Sequence, residues 1–303
     1  MRLVWSVLVL FLSYSAHVAT AESCTTVDLR KDLGPVRNQD GVGWCYAFSA
    51  ADMITFKNKG RAYVSASDVA TQYISQQQNI SITSGPIVTF GGGVPVEAMK
   101  IAAKKGVCTE ASVPSEVNRG SDIYEAYYNL FRISKSLQTT GQGKEYCAGA
   151  AQAYQKFFPS SSPQEIARTI ATEPPWRVVA KLQSKNCPTR YSAGFGENDV
   201  TAETNKTKIP QVIKNQFDLK KPVMISYPIK LIMKKHPTAD GMHASVLVGR
   251  KFNAKTKKCE YLIRNSFGRS CDGYNKSLKC ESGNIWVAEN DLFESVADIT
   301  YFK

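Results

Sequence analysis

Four side chains in this 303-residue chain have the types and order that acyl transfer needs, and Cys45 is the first of them. It lies in Gln39-Asp40-Gly41-Val42-Gly43-Trp44-Cys45-Tyr46-Ala47-Phe48-Ser49-Ala50-Ala51. After it, Ala47, Phe48, Ala50, Ala51 and Ile54 recur at helical spacing, which predicts a deeply buried helix with the cysteine in its first turn. A helix start offers unpaired N–H groups and the positive end of the macrodipole, and both favour thiolate over thiol. The competing reading makes Cys45 half of a disulfide. There are 8 cysteines, none in a Cys-x-x-Cys pair, so a zinc ribbon is not indicated and no metal or cofactor is expected. If Cys45 is a nucleophile, one of the other cysteines is left over; if it is bonded, all can pair.

A thiol nucleophile needs a proton acceptor. Beyond the first residues of the chain the histidines are His236 and His243. His236 sits in a charged loop context, Lys-Lys-His-Pro. His243 heads the apolar run Ala244-Ser245-Val246-Leu247-Val248-Gly249, a strand that would hold the ring in one place. The base needs an orienter, and Asn265 follows the next strand-like run, Tyr261–Arg264. If the two strands are antiparallel neighbours, Asn265 can meet His243, and Phe267 can shield the bond from water. The oxyanion of acyl transfer needs donors. The Gln39 side-chain amide and the Cys45 backbone N–H are the candidates.

The elements that must position these groups fall into three stretches. Residues 34–110 read as helical, with a helix from Cys45 to about Lys59, another over Ser67–Gln77 capped by Ser65 or Ser67, and a third from Pro95 to Gly106. Residues 111–205 read as a helical middle with helices over Ile123–Ser134, Ala148–Phe158 and Pro163–Thr172, closed by Pro174-Pro175, with a strand over Trp176–Leu182. From residue 206 the chain turns β-rich. An amphipathic helix at Ile209–Phe217 is followed by strand-like runs at Val223–Ile229, Ala244–Phe252, Tyr261–Arg264 and Gly283–Ala288, which argues for a largely antiparallel, barrel-like sheet.

The first residues, apolar from Leu3 to Leu12 and ending in Ala19-Thr20-Ala21, have the form of a secretory signal peptide, 1–21, too short to serve as a stable membrane anchor. A single domain, 22–303, is expected after it, secreted or extracytoplasmic, or lysosomal, vacuolar or periplasmic according to the organism. Disulfides are then expected. The net charge of +12 is spread over scattered lysines with no basic helix interleaved with aromatics, so no nucleic-acid partner is indicated. The chain is read as a monomer.

The order Gln39, Cys45, His243, Asn265, with its local sequences, resembles the papain-like cysteine peptidases. Gly43, Cys45 and Tyr46 match that family's nucleophile pattern. Pro35-Val36-Arg37-Asn38-Gln39 is similar to its approach to the nucleophile, and Gly92-Gly93 to its substrate-cleft strand. His243-Ala244, Ile263-Arg264-Asn265-Ser266-Phe267-Gly268 and Gly283-Asn284-Ile285-Trp286-Val287 are similar to its later strands. The resemblance covers about 34–108 and 209–290. It implies an α+β, two-lobe fold with the cleft between a helical and a β-rich lobe, and protein or peptide substrates. By carry-over, Cys45 attacks a peptide carbonyl, His243 serves as acid and base, Asn265 orients it, Gln39 holds the oxyanion, and Gly92 and Gly93 pair with the substrate backbone.

Departures from the pattern carry their own expectations. Val42 replaces a cysteine that is usually bridged, so the loop must be held by other means. Trp44 replaces a small residue and is expected to line and narrow the cleft. Phe267 stands where the family has tryptophan. Cys45 and His243 are about 200 residues apart, against roughly 130–150 in the family, and the helical middle accounts for the excess as a cap or specificity insert. The signal segment runs almost directly into the catalytic resemblance, with no propeptide between. The function expected is a secreted cysteine endopeptidase. A catalytically silent peptide-binding relative and an acyl-enzyme transpeptidase are the alternatives. Retention of all four residues speaks against the first, and nothing in the residues chooses water over an amine.

Overall fold

The computed structural model describes residues 24–76, 92–116, 120–141, 144–233 and 241–303. The leader 1–21 and His236 lie outside them, as does Asn79-Ile80-Ser81, which has the form of a glycosylation sequon. Helix α1 (Cys45–Lys57) begins at the nucleophile candidate, and every residue from Tyr46 to Thr55 is buried. A helix buried on all sides can only sit in the middle of a core. Helix α2 (Ala66–Ile74) packs beside it, started by Ser65, whose hydroxyl accepts the Asp68 N–H at 3.0 Å. Helix α3 (Pro95–Lys105) starts on proline and ends at Gly106, as the sequence predicts.

The middle of the chain forms α4 (Gly120–Thr140), α5 (Lys144–Tyr154), α6 (Pro163–Thr172) and α7 (Pro175–Asn186). Ser162 and Glu165 close a capping box at the start of α6. Helix α7 corrects the strand expected over Trp176–Leu182. Its buried residues, Pro175, Val178, Val179 and Leu182, recur at helical rather than alternating spacing, and the proline opens the first turn.

The sheet is antiparallel in every pair. It contains β1 (Val27–Asp28), β2 (Val200–Glu203), β3 (Val223–Pro228), β4 (Met242–Asn253), β5 (Lys258–Arg264), β6 (Lys279–Glu281), β7 (Asn284–Ala288) and β8 (Asp298–Phe302). Its path is β2-β8-β3-β4-β5-β7-β6, with β1 added against β4. Among the described residues these pairings make one antiparallel sheet, in keeping with the α+β fold expected from the sequence. Strand β2, expected within the helical middle, joins the sheet beside β8.

Alternation along the central strands gives the sheet two buried faces. Met224, Ala244, Val246, Val248 and Leu262 share one core with α1, α2 and the helices of the middle stretch. Val223, Ile225, Tyr227, Leu247 and Ile263 share a second core with Ile209, Ile213 and Phe217 of α8 (Ile209–Asp218) and Leu292 of α9 (Glu289–Ser295). The disulfides are Cys24–Cys259, Cys108–Cys187 and Cys271–Cys280; Cys45 and Cys147 stand outside them. None of the described helices is long and apolar enough to cross a membrane.

Candidate active site

Cys45 is the first residue of α1, so its N–H is among those that a helix start leaves without an intrahelical partner. The loop before it is held by hydrogen bonds where the family's bridge is missing. Gln39 Nε2 donates to Val42 O at 2.6 Å, and the Gln39 N–H donates to Ser266 O at 2.7 Å. Gln39 Oε1 accepts from the Ser266 hydroxyl. Gln39 and Val42 are buried. One N–H of the Gln39 amide is thus spent on the loop, and the second remains as a possible oxyanion donor.

Strand β4 brings His243 to the same place. The Cys45 sulfur accepts from the backbone N–H of Ala244, the residue after His243. His243 Nε2 lies 2.6 Å from Asn265 Oδ1, and the Phe267 ring stacks on the imidazole at 4.9 Å between centroids. An amide oxygen can only accept, so Nε2 carries the proton in this pair and Nδ1 is the ring atom that would take one from a thiol.

Burial pushes the Cys45 thiol above its ordinary range, and the N–H groups of Ala244, Tyr46 and Cys45 itself offset this only in part. The N–H groups at the helix start favour the anion but do not by themselves make a thiolate here. Desolvation outweighs them.

Gly92 and Gly93 are exposed next to the nucleophile loop, where the Gly92 N–H donates to Gly43 O at 2.6 Å. A Cβ on Gly93 would come within 2.7 Å of the buried Tyr46 ring. The absence of a side chain keeps this backbone close to α1 and open to solvent.

A family model, papain family cysteine protease, matches residues 23–213. The chain belongs to this family. His243 and Asn265 lie beyond the matched residues, so their place in this papain-family chain rests on the geometry just given. No curated protein sequence matches. Among solved structures, PepW from Lactobacillus rhamnosis HN001 aligns with TM-score 0.54 at 11% identity, over 93% of this chain and 83% of that one. Digestive procathepsin L 3 of Tenebrio molitor larval midgut aligns with TM-score 0.50 at 12% identity, over 94% and 71%. Likeness at this identity is likeness of fold.

Two features of the papain-family site were not foreseen. Trp44 does not line the cleft. Its indole is 1% exposed and packs against Tyr124 and Tyr127 of α4 at 5.9 and 6.2 Å between centroids. The helix start turns this side chain inward, so it fastens the middle helices to α1 instead of touching substrate. The second feature is a knot of buried charges. Asp52, two turns along α1 from Cys45, takes Arg37 Nη2 at 2.7 Å and Arg264 Nε at 2.8 Å. Arg37 also pairs with Glu110 at 2.6 Å. Arg264 Nη2 donates to Pro35 O at 2.6 Å. Arg37 is two residues before Gln39, and Arg264 is next to Asn265. The knot therefore sets the segments bearing Gln39, Cys45 and Asn265 against one another. A charge on an otherwise buried helix face was the signal available in the sequence.

Proposed function

We propose that this chain is a secreted papain-family endopeptidase that cleaves peptide bonds through a Cys45 acyl-enzyme. The observation that carries this reading is the contact of the Cys45 sulfur with the Ala244 N–H, beside a His243 ring whose Nε2 is engaged by Asn265 at 2.6 Å. The thiol proton passes to His243 Nδ1 and the thiolate attacks the scissile carbonyl carbon. The Cys45 N–H and the second Gln39 amide N–H hold the resulting oxyanion. The imidazolium gives its proton to the leaving nitrogen as the C–N bond breaks. Water, losing a proton to Nδ1, then attacks the thioester and restores the thiol. Gly92 and Gly93 offer backbone groups to an extended substrate. The disulfides are in keeping with an extracytoplasmic site.

Raised thiol pKa and thiolate chemistry are compatible because the ion pair is formed by transfer to His243 and not by loss of a proton to solvent. The test compares wild type with Cys45→Ala on a denatured protein substrate. Cleavage by the wild type alone is expected. Equal cleavage by both would sink the reading. So would an inert wild type whose Cys45 is alkylated stoichiometrically in the native state.

A further inference from the structure

Behind Asn265 lie hydroxyls that the acyl-transfer chemistry does not use. Ser245 Oγ donates to Asn265 Oδ1 at 3.2 Å. Tyr227 Oη is 2.9 Å from Ser245 Oγ. On the other side, Asn265 Nδ2 donates to Tyr274 Oη at 3.0 Å. All four residues are buried. Their meeting follows from the sheet. Ser245 is two residues after His243 on β4 and so shares its face, and Tyr227 stands directly opposite His243 on β3. Tyr274 is presented by the loop that the Cys271–Cys280 disulfide closes.

Counting protons shows what the arrangement selects. Ser245 has one hydroxyl proton. Given to Asn265 Oδ1, it leaves the Ser245 oxygen to accept from Tyr227. The bonds then run in one direction, from Tyr227 to Ser245 to Asn265 Oδ1, and the same oxygen accepts from His243 Nε2. If the Asn265 amide turned over, Nδ2 would face both Ser245 and His243. Either Tyr227 or Ser245 would then hold a buried hydroxyl proton with no acceptor among its described neighbours, which is costly. Nε2 would also have to give up its proton, leaving it on Nδ1, the tautomer that cannot accept from Cys45.

We infer that Ser245 and Tyr227 are positioning residues, a hydroxyl relay that fixes the Asn265 amide face and through it the His243 tautomer, with Tyr274 bracing the amide from behind. The relay rests on the acyl-transfer reading and adds to it the residues that keep the base in its accepting form.

The test is the rate of Cys45 alkylation by iodoacetamide in the native protein, followed by the mass of the Cys45 peptide, at pH about 5.5 and at an alkaline pH where the rate in His243→Ala has levelled off, so that the thiol ionises there on its own. At the lower pH the thiolate depends on the imidazolium, and at the higher pH it does not. Ser245→Ala is expected to slow alkylation about tenfold at the lower pH, in the range typical of lost outer partners of an imidazole, and to leave the higher-pH rate unchanged. Tyr227→Phe removes one oxygen that touches neither Cys45 nor Asn265, and it should produce the same pH-selective loss. The double variant should lose no more than Ser245→Ala alone. Equal changes at both pH values, an unaltered profile in Tyr227→Phe, or losses that multiply in the double variant would overturn the relay while wild-type alkylation at low pH keeps the peptidase reading. A wild type alkylated only above the ordinary thiol range would overturn both.

Discussion

Cys45 is held by opposing influences, and their balance makes His243 decisive. The sulfur accepts backbone N–H bonds, which favour the anion, but burial disfavours it by more and the thiol is pushed above its ordinary range. A thiol is an acid, so a raised pKa means less thiolate at a given pH. Without the imidazole, Cys45 should be neutral at pH 7 and ionise only above the ordinary thiol range. His243→Ala is therefore expected to lower Cys45 alkylation at pH 7 by more than about tenfold, with the rate climbing about tenfold per pH unit into the alkaline range. Wild-type speed at pH 7 in that variant would show that the thiolate does not depend on the ring. The groups proposed to react could be named from the sequence because chemistry restricts their types: a cysteine at a helix start, a histidine heading an apolar strand, an amide at the end of the next. Trp44 was misread for the opposite reason. Adjacency to a nucleophile says nothing about which way a side chain points, and only the packing of Tyr124 and Tyr127 decides it.

Helix α1 and strand β5 are set against each other by charge as well as by apolar contact. Alternation at the end of β5 sends Arg264 toward Asp52 and Asn265 toward His243. The same two residues thus fasten the strand to the helix and hold the His243 ring, the base of the proposed mechanism. Asp52→Asn would place an amide N–H against a guanidinium or leave one arginine short of its carboxylate, and Arg264 is 2% exposed. Breaking a buried pair by removing one partner typically costs about 3–5 kcal/mol. Asp52→Asn is expected to lower the urea midpoint accordingly with the slope unchanged, and to reduce activity at temperatures where the variant remains folded. A loss under about 1 kcal/mol, the worth of an exposed pair, would mean the knot is ornamental. Helices with proline starts and hydroxyl caps, such as α3 and α6, were readable locally. Short strands such as β2, at the sheet edge, and β8, between β2 and β3, were not, because their stability comes from pairing across the chain, a relation no local pattern carries.

The middle helices belong to the same folding unit as the elements that carry Cys45 and His243. Residues of α4 to α7, including Tyr127, Leu130, Ile166, Ile170 and Val178, lie in one apolar core with α1, α2 and the inner face of the sheet. The Cys108–Cys187 disulfide closes the same stretch covalently. A detachable cap would keep a core of its own and meet the rest across a polar seam. Here the seam is occupied by Trp44, the residue before the nucleophile. Unfolding should therefore be a single cooperative transition, with midpoints from far-UV circular dichroism and tryptophan fluorescence coinciding. Trp44→Ala empties a site at the junction, and truncations of buried aromatics cost about 3–5 kcal/mol. Because the junction is shared, this loss should move the whole transition to lower denaturant and not split it. Two separated transitions in the variant, with the middle helices melting first while the sheet persists, would show that residues 111–205 form a cap after all. A site beside Cys45 would then be built on a hinge, and not, as this packing argues, on a buried wall shared by both stretches.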